Sequence, residues 1–190
     1  AKKTNAPASR KAYYQNIFDT VQEVTYQTGG SHPELNTLST EAWTFEQSQG
    51  VALLQKDDSD NFEKHFNSII AHFDNATSVL PDSIVTYTLK ATTYYRHGDV
   101  NSAIETLEIA KDKEEQFNPD LNEKLAYLYL EAGDLETAIT RYQILVDQDP
   151  DSFHYKSGLA NAYILNENHE DAVPLLRELS EAFPSRYEYQ

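Results

Sequence analysis

Apolar residues recur along most of this chain at the three- and four-residue spacing of a helix that buries one face, and no stretch alternates as a strand does. Tyr14, Ile17, Phe18, Val21 and Val24 form a first run, which Gly29-Gly30 ends. Ser31-His32-Pro33-Glu34 opens a second helix carrying Leu35, Leu38, Ala42, Phe45, Ala52 and Leu53. Lys56-Asp57-Asp58-Ser59-Asp60 joins it to a third, with Phe62, Phe66, Ile69, Phe73, Ala76 and Leu80 on one face and Pro81 as its stop. Asp60 with Glu63 has the spacing of a capping box, in which each terminus donor finds a side-chain acceptor. The pattern predicts nine helices, one leading helix followed by four pairs.

From residue 84 onward the runs repeat. Pro150 and Pro184 are 34 residues apart, as are Ala138 and Ala172, Tyr129 and Tyr163, and Leu125 and Leu159. Tyr94, Gly98 and Ala103 precede Tyr129, Gly133 and Ala138 by 35. In the middle unit Leu121, Leu125, Ala126, Leu128 and Tyr129 make one apolar face. Gly133 then suits a left-handed C′ position and Asp134 the next N-cap. Leu135, Ala138, Ile139, Tyr142, Leu145 and Val146 follow, Pro150 stops the helix, and Asp151 and Ser152 offer another cap. Small alanines admit a neighbouring helix and large tyrosines fill the space between. One such hairpin cannot bury its face alone, so hairpins must stack.

This unit resembles the tetratricopeptide repeat (TPR), in which leucine, a small residue, tyrosine, glycine, alanine, a large residue and proline fall at fixed offsets. Leu125, Ala126, Tyr129, Gly133, Ala138, Tyr142 and Pro150 match it best. Leu159, Ala160, Tyr163, Ala172, Leu176 and Pro184 match it next, with Glu167-Asn168 where Gly-Asp is usual. Tyr87, Ala91, Tyr94, Gly98, Ala103, Leu107 and Ala110 form a third match. That match carries Lys90 at the leucine position and Glu115 at the proline position, with Pro119 four residues later. The resemblance implies an all-α, right-handed superhelical solenoid of antiparallel helix pairs. Its divisions are a flexible tether over 1–9, a leading helix over 10–30 and a divergent TPR-like pair over 31–83. Three repeats at 84–118, 119–152 and 153–186 and a tail over 187–190 complete it.

Composition narrows the function. The chain holds 15 basic and 31 acidic residues, a net charge of −16. Phosphate binding needs a basic footprint, so nucleic acid and anionic membrane are not expected partners. The region 119–190 carries a net −9, from five basic and fourteen acidic side chains. That is read first as a solvated acidic surface and second as a field steering a basic partner. Cysteine is absent, which removes disulfides, thiolate zinc sites and cysteine nucleophiles. No run approaches the length of a transmembrane helix. Methionine is also absent, including at position 1. Ala1-Lys2-Lys3-Thr4 fits the residues left after an initiator methionine is removed, and equally a polar tether following a lipid-bearing cysteine. The expectation preferred here is the tether in a bacterial envelope, with the cytoplasm as the other compartment.

Catalytic and metal chemistry find little support. There is no Gly-rich phosphate loop, no His-Glu-x-x-His and no Gly-x-Ser-x-Gly elbow. His65 and His72, seven apart with Asp74 nearby, are read as half-exposed residues flanking an apolar stripe, because helical metal pairs stand three or four apart. His97 sits where an imidazolium suits a helix C-terminus, and His154 and His169 fall near helix starts. Asp57, Asp58 and Asp60 lack the glycine and the bidentate glutamate of a calcium loop. Asn75-Ala76-Thr77 is a glycosylation triplet inside a predicted helix. No catalytic residue, cofactor or metal is assigned.

In TPR proteins the first helix of each pair lines a concave groove. Carried over by register, that groove would show Val85, Thr88, Thr92, Tyr95 and Arg96 in the first clear repeat. The next repeat supplies Asp120, Glu123, Tyr127, Leu130 and Glu131, and the last supplies His154, Ser157, Asn161, Ile164 and Leu165. Tyrosine and arginine are common hot-spot residues. Thr88 and Thr92 stand where a clamp for a C-terminal carboxylate would want a lysine and an asparagine, and Asp120 and Glu123 would repel such a tail. The expected ligand is a neutral or basic protein segment, extended or helical. The function expected is therefore a protein–protein interaction scaffold. The alternative is a structural protein that self-assembles through its leading helix and its last helix, whose Val173, Leu175, Leu176, Leu179, Ala182 and Phe183 are apolar on more than one side.

Overall fold

Helix follows helix throughout the computed structural model, which describes residues 7, 10–30, 32–55 and 59–182. Among these residues there is no strand, and nine helices occur: α1 (Lys11–Thr28), α2 (Pro33–Leu54), α3 (Ser59–Val79), α4 (Ile84–Arg96), α5 (Val100–Lys111), α6 (Pro119–Glu131), α7 (Leu135–Gln148), α8 (Phe153–Leu165) and α9 (His169–Ala182). The expected tether apart from Pro7, the acidic turn at Asp57-Asp58, the Asp60 capping side chain, Phe183, Pro184 and the tail lie outside what is described. The chain divides into two compact units, residues 1–113 and 114–190. None of the helices described is long and apolar enough to cross a membrane.

In the first unit α2 pairs with α3 and α4 with α5, and α3 packs on α4. Phe62, Ile69 and Phe73 form the buried centre, with Val51, Leu54, Phe66 and Leu89 packed around them. Gly50 belongs to this contact, since a Cβ there would stand 2.7 Å from the Phe73 ring. The sole tryptophan, Trp43, donates its indole N–H to Thr86 Oγ1 at 2.9 Å, and the Thr86 hydroxyl donates to Gln47 Oε1 at 2.7 Å. These bonds tie α2 to α4. Lys90, the residue that departs from the repeat's leucine, reaches Asp74 on α3 at 2.7 Å, so a charge pair replaces an apolar contact.

The leading helix α1 packs chiefly on α3. A buried polar cluster secures its first turn. Glu46 on α2 has no exposed surface. Its carboxylate meets Arg10 Nε at 3.0 Å, His72 Nδ1 at 2.7 Å and Asn75 Nδ2 at 3.2 Å, and it accepts from the Tyr14 hydroxyl. Burial by itself pushes the carboxyl up. Hydrogen bonds from His72, Asn75 and Tyr14, together with the Arg10 guanidinium, prevail and hold it below the usual glutamate value. Burial, and then Glu46, push the Tyr14 phenol up to about 12. His72 is thus a correction to the sequence reading: it is buried against Glu46 rather than half-exposed beside the stripe.

In the second unit α6 pairs with α7 and α8 with α9, α7 packs on α8, and α6 touches α8. Ala126, Tyr142, Leu145, Leu159 and Ala162 form the buried centre. They come from α6, α7 and α8, so no single hairpin holds this core, and each fully buried leucine contributes about 2 kcal/mol by removal from water.

The five helices from α4 to α8 start alike. Ser83, Asp99, Asn118, Asp134 and Ser152 each accept a hydrogen bond from the backbone N–H three residues on. The first helix of each repeat also ends alike. Gly98 and Gly133 take φ of 87° and 79°, and the backbone bonds Asp99 N to Tyr94 O and Asp134 N to Tyr129 O, both 2.9 Å, close the turn. The third repeat forms the same bond, Asn168 N to Tyr163 O at 2.9 Å, with Glu167 at φ 59°. A side chain in that region costs about 1–2 kcal/mol, partly offset by the entropy glycine loses on folding. Glu167→Gly is therefore expected to stabilise the chain by about 0.5–1 kcal/mol, read as a higher urea midpoint at unchanged slope. An unchanged or lower midpoint would show that the turn holds no strain.

Candidate partner-binding face

The predicted groove residues divide between the two units. On α4, Thr88 and Thr92 donate their hydroxyls to the backbone oxygens one turn back, Ile84 O at 3.0 Å and Thr88 O at 2.8 Å. Their single donors are committed within the helix. Arg96 donates to Leu54 O at 2.9 Å and stands 4.5 Å over the Phe62 ring. Its guanidinium satisfies a carbonyl left over at the end of α2 and adds a cation–π contact, so this arginine secures the first unit. Tyr95 is half-buried and Val85 is exposed.

The second unit brings more of its predicted set together. His154 on α8 pairs through Nε2 with Glu123 Oε1 on α6, linking the first helices of successive repeats. One turn beyond Glu123 stands Tyr127, 42% exposed, and Asp120 and Glu131 are exposed on the same helix. On α8, His154, Ser157, Asn161 and Ile164 follow at helical spacing along one side of a cleft of about 410 Å³. Gly158 and Ala160 form part of the wall, and Tyr142, Leu176 and Leu179 supply its apolar surface. Leu130 is turned toward the core, packed against the Tyr142–Leu145–Leu159 cluster, and is half-buried.

Sequence reasoning missed the second-helix contribution to this cleft. Tyr142, Leu176 and Leu179 occupy core positions of the repeat. The Tyr142 ring comes up against the bare Cα of Gly158, where a Cβ would stand 2.3 Å from its Cε1. That glycine was the available signal.

The site's electrostatics are acidic. Burial, and then the Glu123 carboxylate, push the Tyr142 phenol up to about 12. The same two causes, with Asp120 and Asp149, raise that of Tyr155. Lys156 is buried and pairs with Glu178 on α9, so it offers no free charge to this face. Among the described residues no three His, Asp or Glu side chains converge as metal ligands would.

With this geometry in view, comparison with known proteins gives a consistent result. The family model described as tetratricopeptide repeat matches residues 123–187, the segment that contains every residue lining the cleft. A crystal structure of MamA superposes with a TM-score of 0.59 at 16% identity, over 95% of this chain and 96% of that one. A further MamA structure, from AMB-1, gives 0.61 at 16% identity over 93% of each chain. The first TPR domain of Spaghetti (RPAP3), bound to the HSP90 peptide SRMEEVD, gives 0.52 at 14% identity, over 64% of this chain and 90% of that one. No curated protein matches the sequence. Residues 123–187 thus match the tetratricopeptide repeat, and the described residues share the all-helical fold of these solved structures.

Proposed function

We propose that this protein is an interaction scaffold that holds a segment of another protein along the α6–α8 face. The observation that carries the reading is the placement of an exposed tyrosine, Tyr127, on the helix adjoining a cleft with polar groups on one wall and apolar side chains on the other. Pockets that orient a ligand by a few polar groups and hold it by apolar contact have this composition. A structural neighbour of the same fold is named for its bound peptide, which supports peptide capture by such helices.

The charge of the ligand follows from Glu123, Asp120 and Glu131 on α6. An acidic tail would meet repulsion there, and a neutral or basic segment would not. The segment enters extended or helical, with an apolar side chain in the cleft beside Tyr142 and Leu176.

Crosslinking with mass spectrometry in the native host would identify the bound segment. Tyr127→Ala is then expected to weaken that segment's binding about tenfold while leaving the melting temperature unchanged. Loss of helicity and melting in this variant would mean that Tyr127 acts in packing, and the face assignment would fail.

A further inference from the structure

A second surface, in the first unit and independent of the α6–α8 face, has the form of a docking groove. It runs between α1 and α2 and has a volume of about 730 Å³. Tyr13, Ile17 and Val21 line it from α1, and Leu35, Leu38 and Ala42 from α2. These are spacings of four and four on one helix and three and four on the other, the seams by which helices pack. Yet Tyr13 is 63% exposed and Leu38 is 58% exposed.

The two helices are fixed at both ends of this gap. Glu46 grips Arg10 and Tyr14 at one end, and Thr28 Oγ1 meets His32 Nε2 at 2.6 Å at the other. Between these ties α1 rests on α3 and leaves its seam toward α2 unfilled.

We infer that this groove takes the apolar face of an amphipathic helix from a partner protein, a helix carrying Lys or Arg along one flank. The span from Tyr13 to Val21 is about 12 Å, room for roughly two turns of a third helix. The charge of its flank is set by the rim. Glu41 is the charged residue lining the groove, and Glu34 stands seven residues earlier on the same side of α2. The cations at the start of α1 are engaged elsewhere, Arg10 with Glu46 and Lys11 with Asp74 at 3.8 Å. A second copy of a chain with net charge −16 is disfavoured as the occupant by like-charge repulsion.

The test uses the full chain and two synthetic amphipathic helices of about 18 residues, identical in their leucine stripe but flanked by lysine or by glutamate. At low salt the lysine-flanked helix is expected to bind at least about tenfold more tightly, with the preference fading as salt screens the rim. Leu38→Asp should abolish binding, and Glu34→Lys with Glu41→Lys should reverse the preference while circular dichroism stays unchanged. Tyr127→Ala should leave it untouched, which separates this groove from the α6–α8 face. No binding of either helix, binding that survives Leu38→Asp, or a preference that ignores the rim charges would overturn the inference. So would light scattering that shows a dimer dissociated by Leu38→Asp, since the occupant would then be a second copy.

Discussion

Glu46→Ala is expected to cost about 3–5 kcal/mol of folding stability, the loss typical when one partner of a buried charge cluster is removed. The carboxylate has no exposed surface and is the common acceptor for Arg10, His72, Asn75 and Tyr14. Without it, a half-buried guanidinium and three buried polar groups lose this shared acceptor together, and the attachment of α1 to α2 and α3 loosens. Urea unfolding measures the effect, and a loss under about 1 kcal/mol would show that the cluster reorganises around water.

The same carboxylate sets an acid limit. Its pKa in the folded state lies below the ordinary value of 4.5. The stability it contributes is therefore present above that ordinary value and is lost as pH falls through the lower folded one. Unfolding followed from about pH 6 down to about pH 3 should show an acid limb that Glu46→Gln flattens. An unchanged limb in the variant would assign the acid sensitivity to other carboxylates.

Gly158→Ala is expected to destabilise the second unit by about 1–3 kcal/mol, although alanine is the better helix former by about 1 kcal/mol. The added methyl would stand 2.3 Å from Tyr142 Cε1 and 2.7 Å from Cζ. The Tyr142 ring is buried in the core cluster and cannot yield without disturbing Leu145 and Leu159. Gly30→Ala is the matched control, because nothing lies within 4 Å of a Cβ there. Thermal melting compares the two, and Gly158→Ala with Tyr142→Leu should recover part of the loss. Equal melting of Gly158→Ala and the parent would refute the close approach of α7 and α8. Because Gly158 also lines the cleft, the single variant should weaken partner binding as well.

Much of the second unit was legible in the residues. Leu125 and Leu159 recur 34 apart, and both are buried, as are Ala126 and Ala160. Repeats make this possible, because each position is read several times in one frame. The exposures of Tyr127 and Ile164 followed from the same frame. Leu130 did not, since register gives a direction and the half-buried side chain leans into the neighbouring core. The bond from Arg96 to Leu54 O was not legible in the sequence, because its acceptor lies 42 residues earlier in the chain.

The chain's own pattern determined that helices form, where Gly98 and Gly133 turn them, and that Leu125 and Leu159 are buried. Those properties depend on neighbours within a few residues or one repeat, and hydrophobic spacing encodes them directly. Tertiary structure alone decided the fate of Glu46 and His72, the cleft beside Gly158 and the open seam between α1 and α2. Nothing next to Glu46 marks it as buried. Its charge is tolerable only because α1 and α3 bring four partners from distant parts of the chain, and that convergence exists only in the folded chain.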